Sequence, residues 1–346
     1  MDERKRRVLM AIVHDYIATA EPVGSRTVAK KYKLGVSPAT IRNEMADLEE
    51  MGFIEQPHTS AGRIPSERGY RYYVDFLMRR QDLSKDEISF IEQEYQAKVS
   101  DIGQVIHKTG VLLSHLTHYT ALVMPPRIGI SMLKHVQIVS MHQNHAMVVA
   151  IMDNGTVQHQ MIEIPESITV LDMETISSVL NAKLQGLTMK SIKMGLIREI
   201  YSELARHRHV LDLVMTLLHD SLAPEVEDKI YLGGVLNILN QPEFHNVEKI
   251  KTILSIMEQE KLLCEILDDG EEDEGVTVRI GGEIENWGIK ECSMITAPYS
   301  VGGRKIGKLG VLGPTRMEYA KAIAVVDYLT KYLSLTLERM LRGGGT

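Results

Sequence analysis

The sequence has only two cysteines, Cys264 and Cys292, in 346 residues. That excludes a disulfide framework in a chain this long and points to reduced thiols in a cytoplasmic protein. Long apolar runs are missing as well: no stretch approaches the roughly 20 residues a membrane helix requires, so no membrane partner is expected. The N-terminal run MDERKRRVLMAIVHDY begins like a secretion signal. His14 and Asp15 then interrupt its apolar part, and no cleavage-site pattern follows. Internal repeats and low-complexity tracts are absent.

Motifs that carry catalytic or cofactor chemistry are equally scarce. Gly302, Gly307 and Lys308 have the spacing of a phosphate-binding loop, but Leu309 stands where its Ser/Thr hydroxyl would be. The following LGVLGP reads as strand, whereas such a loop must open a helix, so the segment is read as a hairpin entry. The acidic run Asp268–Glu274 lacks the alternating ligand spacing of a calcium loop and reads as a solvated surface segment. His115 and His118, His142 and His145, and His207 and His209 have no cysteine nearby, so no metal site is expected. A Gly-x-Ser-x-Gly nucleophile elbow is missing. The reading is a protein without catalytic residues, cofactor or metal.

What is present concentrates at the N-terminus. The net charge of −7 is unevenly spread. Residues 1–80 carry 14 Lys and Arg against 11 Asp and Glu, leaving 25 against 35 in the remainder. A mildly basic head on an acidic body suits a chain that meets DNA with its head alone. Within that head, Ser37-Pro38 reads as a helix start, the serine capping a free N–H and the proline occupying the first turn. The helix is predicted to run to Met51 and stop at Gly52. Ile41, Met45 and Leu48 form its apolar stripe, while Ala39, Arg42 and Asn43 lie on the other side near its N-terminal end. Asp47, Glu49 and Glu50 occupy the C-terminal half, where they would repel phosphate. Only the N-terminal end of this helix can face DNA, which is how a recognition helix enters a major groove.

The flanking segments agree. Ser25 is read as the cap of a shorter helix with Val28, Ala29 and Tyr32 inward and Arg26, Lys30 and Lys31 outside. Lys33–Val36 is the glycine-containing turn of a helix-turn-helix. Phe53–Pro57 reads as a strand, 58–62 as a polar tip, and Arg63-Ile64-Pro65 as the return, which makes a wing able to bring Arg63 near the phosphates. The expected DNA-binding residues are Ser25, Arg26, Ser37, Ala39, Thr40, Arg42, Asn43 and Arg63.

The run GFIEQPHTSAGRIPSERGYRYYVD resembles the wing of the HrcA heat-inducible transcription repressors, and CSMITAPYSVGGRKIGKLGVLGPTRMEYAKAI resembles that family near its C-terminus. The resemblance implies a repressor that binds a CIRCE-type inverted-repeat operator upstream of chaperone genes as a homodimer. It also implies activity maintained by a GroE-type chaperonin, and a GAF-like sheet domain split by an inserted dimerisation domain.

Elsewhere, helix 1 is expected over about 4–19, with the run Arg4–Arg7 near its start able to reach a phosphate backbone. Tyr70, Tyr73, Phe76 and Leu77 are expected to pack the wing onto the domain. Ser84 and Glu87 form a capping box opening a helix to Thr117. Strands follow at 133–140, 145–152 and 156–164, helices over 172–222 and 247–267, then strands again at 276–280, 292–299 and 306–312. A final helix is expected after a second capping box at Thr315 and Glu318. The fold class is therefore α+β. With the resemblance, the expected domains are a winged helix-turn-helix at 1–80, a GAF-like first part with linker helix at 81–164, the inserted dimerisation domain at 165–240 and a GAF-like second part at 241–342. Two other readings of the residues stay open. One is a regulator using the GAF-like body as a small-molecule pocket. The other is an enzyme fused to a DNA-binding head, which would need a convergent polar site.

Overall fold

A computed structural model describes residues 1–59, 61–96, 101–126, 132–142, 144–153, 157–188, 191–222, 230–244, 246–268, 275–284 and 291–343. It is a mixed helix-and-sheet chain that separates into two compact units. One comprises Met1–Pro125 with Asp228–Leu337, the other Pro126–Glu227 with Glu338–Thr346.

The first unit begins with α1 (Glu3–Thr19), α2 (Ser25–Tyr32) and α3 (Pro38–Glu50). Val8, Leu9, Ile12 and Val13 of α1 are buried together with Val28 of α2 and Ile41, Met45 and Leu48 of α3. A two-stranded antiparallel hairpin follows, β1 (Ile54–Glu55) against β2 (Ile64–Pro65). Ser66 then caps α4 (Glu67–Tyr72), which continues as a single π-helical turn, Tyr73–Leu77. Tyr70 and Tyr73 are buried as expected, but Phe76 is 71% exposed. The wider π turn carries Phe76 out of the stripe that an unbroken α-helix would have given it.

The Ser84–Glu87 capping box forms, opening α5 (Lys85–Gln96). The single helix expected to reach Thr117 does not. Asp101 adopts an extended conformation, accepts from the Gln104 N–H and starts a separate α6 (Ile102–Thr117). A five-stranded antiparallel sheet completes this unit, in the order β7 (Tyr231–Gly233), β3 (Thr120–Val123), β10 (Arg304–Pro314), β9 (Cys292–Val301), β8 (Thr277–Ile280). All four residues of β3 are buried, so both sheet faces are covered. On one face α10 (Val247–Met257) and α11 (Glu260–Asp268) close a core that includes Leu122, Met294, Leu312, Phe244 and both cysteines. The cysteines form no disulfide, and burial pushes the Cys292 thiol up to about 12. The long α12 (Tyr319–Gly343) packs on β9 through Tyr319 to Ser293 and Ser334 to the Ser300 N–H. It starts at Tyr319 without the expected Thr315 cap; the Thr315 carbonyl accepts from the Tyr319 hydroxyl instead.

Between β9 and β10, Val301 pairs with Arg304, leaving Gly302 and Gly303 as a two-residue turn with φ of +57° and +79°. Both positions need the left-handed region, which only glycine enters without strain. The phosphate-loop spacing is thus a hairpin, as expected.

The second unit is built on β4 (Leu133–Ser140), β5 (His145–Met152) and β6 (Val157–Glu163), an antiparallel sheet of its own. The helices α7 (Val170–Leu184), α8 (Met194–Glu203) and α9 (Arg208–Leu222) close over one face. Val136, Val148 and Ile162 share a core with Ile176, Leu180, Leu211 and Val214. This revises the expected boundaries. The three strands, expected in the body with the insertion beginning at 165, instead pack with the helices that follow them. Conversely β7, inside the expected insertion, pairs with β3 of the first unit. The Asn154-Gly155 turn and residues 269–274 of the acidic run lie outside the described residues.

Candidate nucleic-acid interface

The interface is positioned by α3. Ser37 is extended, and its hydroxyl accepts from the Thr40 N–H at 3.1 Å and lies 2.9 Å from the Thr40 hydroxyl. Pro38 fills the first turn, and Gly52 (φ +74°) ends the helix by donating to the Glu49 carbonyl. Ala39, Arg42 and Asn43 are exposed, and Thr40 is half-buried. In α2, Ser25 is the first helical residue rather than the cap. Gly24 holds the cap position with no side-chain bond, leaving Ser25 half-buried and Arg26 exposed. Among the described residues neither Arg26 nor Arg42 enters an ion pair. Lys33 and Gly35 form the turn between the helices, both with positive φ.

The cations expected to assist are mostly engaged within the protein. Arg4 lies 3.3 Å from Glu44. Lys5 sits 2.9 Å from Asp47, 3.0 Å from Glu44 and 3.2 Å from Asp2, and its hydrogen bonds to Asp47, Glu44 and Asp2 raise its pKa. Lys31 reaches the buried Asp15 at 2.5 Å, which raises the lysine's pKa. Arg63 is paired with Glu49. Arg6 and Arg7 remain exposed. Glu44, buried on the inner face of α3, was not expected to matter. Its signal was nonetheless present: a carboxylate in the Ile41–Met45–Leu48 stripe requires a cation, and the run Arg4–Arg7 supplies one.

In the rest of the first unit, side chains of the five-stranded sheet and α10–α11 form a buried apolar cluster. A crevice of about 850 Å³ runs between segment 71–83 and α12. Of its charged lining, Arg71 is engaged by Glu283 and Asp75, and Asp327 by Lys331. The described residues hold no cluster of three or more His, Cys, Asp or Glu able to bind a metal, and no helix among them is long and apolar enough to cross a membrane.

Comparison with known proteins identifies the class. A family model described as the HrcA protein C terminal domain matches residues 103–323. The heat-inducible transcription repressor HrcA of Pelotomaculum thermopropionicum is 71% identical over 345 residues, covering 100% of this chain and 99% of that one. Its counterpart from Desulforamulus reducens is 57% identical over 343 residues, covering 99% of each. A crystal structure of a hypothetical protein matches with a TM-score of 0.66 at 27% identity, covering 98% of this chain and 99% of that one. The two named relatives are heat-inducible transcription repressors, a class of regulator and not of enzyme. The chain belongs to the HrcA family of heat-inducible transcription repressors.

Proposed function

We propose that the chain represses chaperone genes by binding a CIRCE-type inverted-repeat operator as a homodimer, with a GroE-type chaperonin maintaining its active form in the cytoplasm. One observation carries the DNA-binding reading. The exposed N-terminal end of α3 presents Ala39, Arg42 and Asn43, while the helix's inner stripe is buried. In this reading α1–α3 and the β1–β2 hairpin are a winged helix-turn-helix. Arg42 suits a guanine edge and Asn43 an adenine edge. The Ser37 and Thr40 hydroxyls, the N-terminus of α2 at Ser25, and Arg26 meet the backbone.

The dimer reading is supported by the second unit. The face of its sheet away from α7 carries Val139, Met147 and Met161 in one cross-strand row, with Val149, Ile151 and Val157 beside them. Val139, Val157 and Met161 are 43%, 53% and 58% exposed, and although Gln137 and His159 flank Val149 on this face, its apolar members form a patch that suits a second copy. The five-stranded sheet is read as the GAF-like domain, and the buried apolar cluster between it and α10–α11 speaks against the small-molecule reading. The chaperonin reading draws on topology. Leu122 of β3 pairs with Gly310 of β10, so the sheet cannot close until distant segments of chain meet. Such closure is slow and leaves apolar surface exposed meanwhile.

Titration of an operator duplex and a random duplex with the purified chain tests the reading. Operator binding stronger by at least about 10³ is expected; equal affinities would defeat it. Refolding with and without chaperonin and ATP tests the maintenance step, since equal recovery at both growth and heat-shock temperatures would remove the chaperonin.

A further inference from the structure

Residues 53–65, which span the wing, contain a single Arg or Lys, Arg63. Its guanidinium turns back to the helix. Nε donates to Glu49 Oε2 over 2.9 Å, and Nη2 lies 2.7 Å from the same oxygen. The backbone is fixed at the same point: the Val23 N–H donates to the Arg63 carbonyl over 2.8 Å, and the Arg63 N–H returns to Val23 over 2.9 Å. A Cβ on Gly62 would lie 2.5 Å from the Val23 carbonyl carbon, so this approach requires glycine. Toward the tip, the Gln56 amide donates to the carbonyls of Thr59 and Ala61 and closes the turn on itself.

The β1–β2 pairing consists of Ile54 with Pro65 and Glu55 with Ile64, and Pro65 has no N–H to give. A hairpin this short has little stability of its own. Its angle to α3 must therefore come from contacts outside the strands. Glu49 stands seven residues after Arg42, two turns along the same helix. The Glu49–Arg63 pair thus ties the wing to the helix that carries the base-reading side chains.

We propose that Arg63 is a positioning residue. Its ion pair with Glu49 holds the wing at a fixed angle to α3, and the guanidinium does not contact the DNA backbone. This rests on the DNA-binding reading above, and it replaces the phosphate contact that the sequence alone assigned to Arg63. Glu49 and the phosphates are alternative partners for one guanidinium, so the two roles differ in the sign of a single effect. If Arg63 served phosphate, removing the Glu49 charge would release it and strengthen binding. If Arg63 is a strut, the same change weakens binding.

The test uses the full chain, the operator duplex and a random duplex over a range of salt concentrations. E49Q and R63Q are each expected to lower operator affinity about tenfold, with a smaller loss on random DNA and the salt slope of the wild type. The charge-reversed pair, E49R with R63E, is expected to recover most of the loss. Tighter binding by E49Q, or a salt slope reduced by about one in R63Q, would overturn the proposal. So would a folded charge-reversed pair that recovers nothing. Amide exchange at Val23 and Arg63 without DNA keeps the two readings apart. E49Q is expected to speed it and the reversed pair to restore it, whereas unchanged exchange would refute the strut even if the wild type bound no operator. A wild type without operator preference would refute the DNA-binding reading instead.

Discussion

Nη1 of Arg316 donates to the carbonyl oxygen of Ile17 over 2.5 Å, joining positions 299 residues apart. The same guanidinium pairs with Glu243 at 2.6 Å and reaches Gln241 at 3.3 Å. It therefore caps the last turn of α1 from a segment just before α12. Nearby, Arg71 of α4 reaches the Val278 carbonyl and Glu283, and Glu67 accepts from the Gly282 N–H. Within the first unit, α1 and α4, which flank the helices of the candidate interface, are thus bound by charged contacts to segments at the ends of the sheet strands.

Arg316→Ala should destabilise the first unit by about 1–3 kcal/mol, because it leaves Glu243 and the Ile17 carbonyl without their partner. Hydrogen exchange is expected to rise in the last turn of α1 before it rises in β9 and β10. Uniform exchange along the unit would show that Arg316 contributes to general stability and not to this contact.

Arg42→Ala and Asn43→Ala should each cost about 1–3 kcal/mol on the operator and relax base preference at one position. Both side chains are exposed, so thermal stability should stay unchanged. Equal loss on operator and random DNA would make Arg42 a phosphate contact.

In the second unit, Asn181 of α7 covers the free edge of β4. Its amide donates to the Val136 carbonyl and its oxygen accepts from the Val136 N–H, each at 2.8 Å, while the Ser177 hydroxyl accepts from the Ile138 N–H. An edge strand left unpaired invites association. Asn181→Ala removes both bonds and should cost about 2–3 kcal/mol, read as a lower urea midpoint. An unchanged midpoint would mean that solvent serves that edge equally well.

Met161 stands on the open face of the same sheet, opposite Met147. Met161→Lys should weaken self-association at least about tenfold in sedimentation equilibrium, with the fold intact. No change would place the contact between copies on another surface.

The legible parts of the chain were the local ones. The Ser37 cap, the Gly52 stop and the Ile41–Met45–Leu48 stripe follow from neighbours within a few residues, and α3 forms as they direct. The limits of β4 and β5 were likewise readable from their β-branched and apolar content. What stayed hidden depends on contacts between remote segments. The apolar content of β5 is the same whether its sheet joins β3 or stands alone, so the boundary at 126 could not be seen. Asp47 and Glu49 look like free charges in sequence; Lys5 and Arg63 neutralise them only once α1 and the hairpin fold back onto α3. The extended Asp101 and the π turn at 73–77 are single departures from a helical pattern that periodicity smooths over.

Footprinting of the protein across the whole genome, at growth temperature and after heat shock, tests repression most directly. Protection is expected at inverted repeats upstream of chaperone genes at growth temperature, with loss of that protection on heat shock. Protection confined to other sites, or unchanged by heat, would contradict it.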